Sequence, residues 1–131
     1  LYLYLISISV GDDEVYERLG DVMVGQEEWD RAIDYYSKVE GVQSETAEHA
    51  FQLGLCYWKK EDKLEAFEYF QKAVERESGN PRYLDYLLEV SIISNKLRVA
   101  KEALKRLEKV NPENKKLGEF ADRISAMKKG R

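Results

Sequence analysis

His49 and Cys56 are the chain's one histidine and one cysteine, and they stand seven residues apart. A structural metal site gathers about four such ligands at short, defined spacings. No metal site is expected here, and His49 reads as a solvated or partly packed side chain. Cys56 has no partner for an internal disulfide. Between Leu55 and Tyr57 it reads as a buried apolar thiol, compatible with a reducing cytoplasm. The eight serines have only His49 to serve as a base, and none sits in a nucleophile-elbow sequence. Glycines occur singly, so no phosphate-cradling loop is present. Carboxylates do pair, at Asp12-Asp13, Glu27-Glu28 and Glu61-Asp62. A catalytic pair needs a dry cleft that drives two pKa values apart, whereas these pairs fall in polar turns. No catalytic residue, metal or cofactor is therefore expected.

The elements that carry these residues are helical. From Ala47 to Asn80 the apolar residues fall at helical spacing in two runs, separated by the polar turn Lys60-Glu61-Asp62-Lys63. The run Leu53, Gly54 and Tyr57, followed by Ala66, Phe70 and Ala73, resembles the signature of the tetratricopeptide repeat, a helix-turn-helix unit of about 34 residues. Laid on that period from Asp13, like residues fall in like places without insertion. First-helix positions read Tyr16, Leu19 and Met23, then Ala50, Leu53 and Tyr57, then Leu84, Leu87 and Ser91. Second-helix positions read Ala32, Tyr36 and Val39, then Ala66, Phe70 and Ala73, then Ala100, Leu104 and Leu107. Gly20 and Gly54 permit close approach of the two helices, Ala32, Ala66 and Ala100 lie opposite, and Tyr36 and Phe70 fill the gap between units. Leu88 stands where the third unit lacks that glycine, which predicts a wider crossing there.

The resemblance implies an all-α, right-handed superhelix of antiparallel helix pairs: three units at 13–46, 47–80 and 81–114, then a capping helix and basic tail at 115–131. Leu117, Phe120, Ala121, Ile124 and Met127 recur at helical spacing between Asn114 and Lys128 and suit a cap on the third unit. Pro81 and Pro112 are each suited to open the helix that follows. Asn95 suits a left-handed residue at a helix end, and Ser44 or Thr46 an N-cap. Residues 1–12 align with the end of a preceding repeat; the alternation of Leu-Tyr-Leu-Tyr and Ile-Ser-Ile-Ser also fits an extended or disordered lead-in. A start at Leu rather than Met suggests a fragment or a processed chain.

Members of this family lay an extended or helical peptide along a concave wall built by the first helix of each unit. Carried over onto this sequence, that wall comprises Glu17 and Asp21 in the first unit, Phe51, Gln52, Leu55 and Trp58 in the second, and Arg82, Tyr86, Glu89 and Ile92 in the third. The first unit is acidic, while Phe51, Leu55, Trp58, Tyr86 and Ile92 would form one exposed apolar strip, complementary to a segment with apolar anchors and basic residues. Chaperone-associated members grip a partner's C-terminal carboxylate with lysine, asparagine and arginine. Here Glu17, Asp21, Gln52, Arg82 and Tyr86 hold those places and only Arg82 keeps the sign, which argues against that clamp.

Charge is unevenly spread along the 131 residues. Residues 1–95 hold 9 basic and 20 acidic side chains, whereas 96–131 hold 12 basic and 5 acidic, from −11 to +7. Such asymmetry favours self-association or docking on an anionic partner. Basic residues without interleaved aromatics do not suit nucleic acid, and no apolar run reaches the roughly 18 residues of a membrane span. The expected function is a non-catalytic protein-interaction scaffold with a protein or peptide partner. Two alternatives are a regulatory or positioning segment of a larger enzyme, such as a glycosyltransferase, and a self-assembling repeat scaffold.

Overall fold

A computed structural model describes residues 13–40 and 44–127. The expectations for residues 1–12 and for the tail beyond 127 lie outside the described residues. Among the described residues seven α-helices follow in order: α1 Asp13–Gly25, α2 Trp29–Ser37, α3 Ala47–Lys59, α4 Lys63–Arg76, α5 Pro81–Ile93, α6 Leu97–Val110 and α7 Leu117–Ser125. The described residues contain no strand. Helices α1/α2, α3/α4 and α5/α6 pack as antiparallel pairs, each pair stacks on the next, and α7 closes the stack against α5 and α6.

The pairs are held by small residues facing large ones. A Cβ built on Gly54 would stand 2.7 Å from Cδ1 of Phe70, and one on Gly20 would run into the Tyr36 ring. Neither glycine could therefore carry a side chain without displacing an aromatic that is itself fully buried. Tyr36 and Phe70 thus fill the space over the glycine of their own unit as well as meeting the next one. In the third pair Leu88 and Leu104 stand at the glycine and aromatic positions. Leu88 is fully buried and Leu104 packs against the same core, so two mid-sized side chains occupy the space of none and one large.

The turn inside every pair is the same device. Glu27, Glu61 and Asn95 have φ of 59°, 65° and 58°, the left-handed region. In the first turn the Glu28 N–H donates to the Met23 carbonyl at 2.8 Å and the Glu27 N–H to Val24 at 3.0 Å; Asp62 and Glu61, then Lys96 and Asn95, repeat these bonds. This is a Schellman closure, whose left-handed position usually carries glycine. Only Asn95 among the three was expected to adopt it; the two glutamates do so because the closing bonds fix the backbone there.

The starts of α3, α4 and α5 are capped by short polar side chains, whereas those of α2, α6 and α7 carry no side-chain cap. Thr46 accepts from the His49 N–H, Asp62 from Glu65, and Asn80 from Arg82 and Tyr83, with Pro81 at the first helical position. Pro112 departs from expectation: it lies in a turn, and α7 begins only at Leu117, after Asn114 has bonded the Lys116 N–H at 2.8 Å. The closing helix is accordingly shorter than the span from Asn114 to Lys128. Its Phe120 and Ile124 are buried on the core, with Leu117 and Met127 packed beside them.

Candidate functional site

The wall formed by α1, α3 and α5 carries the expected binding residues. Its acidic end is a hydrogen-bonded cluster. Glu17 on α1 pairs with Nδ1 of His49 on α3, and the Tyr36 hydroxyl donates to Asp21 at 2.5 Å. The Tyr36 ring meets His49 edge-on at 5.9 Å. His49 is only 6% exposed, so of the two expectations, solvated or partly packed, the packed one applies: it links the first and second units. Partial burial pushes the Asp21 carboxyl above its usual range, and Glu17 and Glu48 add to this by repulsion while the Tyr36 bond opposes it. Burial, with the Asp21 bond and charge, raises the Tyr36 hydroxyl too.

At the centre the structure overturns one expectation. Phe51 is 0% exposed. Its ring lies 4.8 Å from that of Tyr83, 5.3 Å from Tyr86 and 5.7 Å from Phe70, and the Arg82 guanidinium covers it at 4.6 Å. Phe51 is therefore core between the second and third units, and the exposed strip loses its first member. Helical spacing alone could not separate the two positions, because the third unit's aromatics close over Phe51 from a neighbouring helix. Arg82, the single residue matching a carboxylate clamp, is committed to that ring face.

What remains open is a row of partly buried apolar side chains. Leu55, Trp58, Tyr86 and Ile92 all pack against the core with one side and keep part of their surface exposed. Trp58 leans on Phe70 at 6.4 Å and Tyr86 on the same ring at 5.3 Å. Polar members of the wall are tied to neighbours. Gln52 donates to Glu48 at 2.8 Å, and the Tyr83 hydroxyl donates to Glu48 at 3.1 Å, its own pKa pushed up to about 12, chiefly by burial and then by the Glu48 charge. Glu89 receives both guanidinium nitrogens of Arg123 from α7, at 3.1 and 2.6 Å, and Asp85 accepts from Asn114 at 3.1 Å. Sequence reading missed His49, Tyr83 and Arg123 as the partners that fix this wall. The signal that could have found them is a polar partner recurring near the repeat period: Glu17 and His49 are 32 residues apart, Glu48 and Tyr83 35, and Glu89 and Arg123 34.

No group of three or more histidine, cysteine or carboxylate side chains suited to a metal occurs among the described residues. Cys56 is buried, which pushes its thiol up to about 12 and leaves it an unreactive packing group. No described helix is long and apolar enough to cross a membrane.

Three comparisons place this architecture. A family model described as "Tetratricopeptide repeat" matches residues 14–76. No curated protein sequence matches the chain. Among solved structures, MamA superposes with a TM-score of 0.79 at 16% identity, over 95% of this chain and 78% of its own. The first repeat domain of Spaghetti, bound to an HSP90 peptide, gives 0.73 at 20% identity, over 87% of this chain and 93% of its own. The TPR2B domain of yeast Sti1, in a complex with an Hsp70 peptide, gives 0.70 at 18% identity, over 86% and 95%. Residues 14–76 thus belong to the tetratricopeptide-repeat family, and the third helix pair with its closing helix continues the same fold.

Proposed function

We propose that the chain is a protein-interaction scaffold with no catalysis of its own, whose first-helix wall receives an extended or helical segment of a partner protein. The observation that carries this reading is the row Leu55, Trp58, Tyr86 and Ile92, half-open apolar side chains on rigid helices, beside the carboxylates Asp21 and Glu48. Partly exposed aromatics held rigid by packing lose little entropy on binding and are frequent anchors of recognition. The chemistry suits a segment with apolar anchors flanked by lysine or arginine. Two of the solved relatives hold chaperone peptides, which supports peptide binding by this architecture. The clamp chemistry differs here, since acidic groups and a committed Arg82 disfavour an acidic C-terminus. A reducing cytoplasm suits the single buried thiol.

Selection of random peptides against the immobilised chain tests the reading. Enriched peptides are expected to carry an apolar pair with neighbouring basic residues, and Leu55→Glu is expected to weaken them about tenfold or more while the melt, lowered by the lost core contact, stays cooperative. Peptides that bind wild type and variant alike, or selection of acidic C-termini, would refute it.

A further inference from the structure

The outward face of α6 carries charge that the fold does not use. Arg98, Lys101, Lys105 and Lys109 are exposed and recur at spacings of three, four and four, so they line one side of the helix over about 16 Å. Arg106 beside them pairs with Glu102 at 3.6 Å, but none of the four makes an ion pair with another described residue. The opposite side of the same helix, Ala100, Ala103 and Leu107, is core. No aromatic interleaves the stripe, which removes the stacking that single-stranded nucleic acid uses.

The same chain offers the complement. On α1, Glu14, Glu17 and Asp21 repeat the spacing of three and four. Glu14 pairs with Arg18 at 3.2 Å and Glu17 with His49, while Asp21 and the nearby Glu48 of α3 are bonded to the uncharged Tyr36, Gln52 and Tyr83, so this end keeps a net negative charge. A stripe of cations and a stripe of carboxylates with matched spacing let two helices lie side by side with charges in register. The two stripes sit at opposite ends of the stack, on the outward second helix of the last pair and on the first-helix wall of the first pair. One chain therefore presents both, and the contact is heterologous, head to tail.

We infer that the basic face of α6 is a docking surface for a second copy of this chain, which it meets through the acidic α1 end of that copy's first-helix wall. The acceptor side rests on the reading of that wall as a binding surface, whereas the donor side stands on α6 alone.

Sedimentation of the 131-residue chain at two salt concentrations tests it, because the screening length falls from roughly 30 Å at 0.01 M to roughly 3 Å at 1 M. Wild type is expected to associate in the first and to be monomeric in the second. The reversed variants Lys101→Glu/Lys105→Glu and Glu14→Lys/Glu48→Lys, each checked for a native helical melt, are expected to be monomeric alone and to associate when mixed. Monomeric wild type at low salt overturns the inference. So does association that survives in both variants, or folded variants that fail to recombine. Retention on heparin lost in the Lys101→Glu/Lys105→Glu form, without self-association, would assign the stripe to an anionic polymer and overturn it as well. Peptide selection with Leu55→Glu leaves α6 untouched, so failure of the wall reading and failure of this one are told apart.

Discussion

Truncating Phe51 separates a packing role from a binding role on the first-helix wall. The ring is fully enclosed by Phe70, Tyr83 and Tyr86 and roofed by Arg82. Phe51→Ala removes the whole phenyl group and leaves a cavity between two helix pairs, for which a cost of about 3–5 kcal/mol is usual. Loss of the guanidinium contact adds about 0.5–1 kcal/mol. Against a total stability of about 5–15 kcal/mol for a domain, this is a large fraction of what holds the array together. The comparison is Trp58→Ala, whose ring is partly open and whose loss is expected to cost less than half as much. Urea unfolding followed by the helical circular-dichroism signal reads both, the midpoint moving with stability. The midpoint for Phe51→Ala is expected to fall steeply, with the third pair and α7 losing cooperativity first, since repeats are stabilised by their neighbours. A cost below about 1.5 kcal/mol, the range of a tolerated core swap, would refute the reasoning: Phe51 would then be a reachable groove residue.

Three further outcomes follow from geometry already described. Glu61 holds a left-handed φ of 65°, so Glu61→Gly is expected to raise stability by about 0.5–1 kcal/mol, the left-handed strain of a side chain less the added freedom of glycine; a lower melting temperature would count against the Schellman turn. Ser91 is fully buried and its hydroxyl has no hydrogen-bond partner among the described residues, so Ser91→Ala is expected to stabilise by about 1 kcal/mol in thermal melts, and destabilisation would reveal an unseen partner. Cys56 has its thiol pushed up to about 12 by burial. The protonated form is therefore favoured more by the folded chain than by the unfolded one, that contribution is present below the ordinary thiol pKa of 9.0, and it is lost as pH rises through about 12. Labelling with a thiol reagent near neutral pH is expected only after denaturant is added, and fast labelling of the native chain would contradict the burial.

The repeat was legible in the sequence because it depends on local patterns. Gly20, Gly54, Ala32, Ala66 and Ala100 recur at one period, and each has a steric reason to do so. What was not legible depends on contacts between units. Phe51 and Leu55 look alike as apolar residues on one helix face, and only the arrival of Tyr83, Tyr86 and Arg82 from α5 decides that one is sealed and the other open. His49 was obscured in the same way, since its partner Glu17 is thirty-two residues away on another helix. The left-handed glutamates Glu27 and Glu61 escaped notice because the usual glycine signal is missing and the closing hydrogen bonds carry the turn instead.

The three joints along the stack share buried apolar packing, and each adds a different contact to it. The first is a histidine and a carboxylate, Glu17 with His49; the second is aromatic, Phe51 under Tyr83 and Tyr86; the third is ionic, Glu89 with Arg123. A uniform solenoid bends like a spring, each link yielding in proportion. This one is a chain of unlike links: added salt screens the part-exposed Glu89–Arg123 pair of the third and does not reach the sealed Phe51 of the second. The closing helix is therefore the part of the stack that added salt is expected to loosen, with the aromatic middle unchanged.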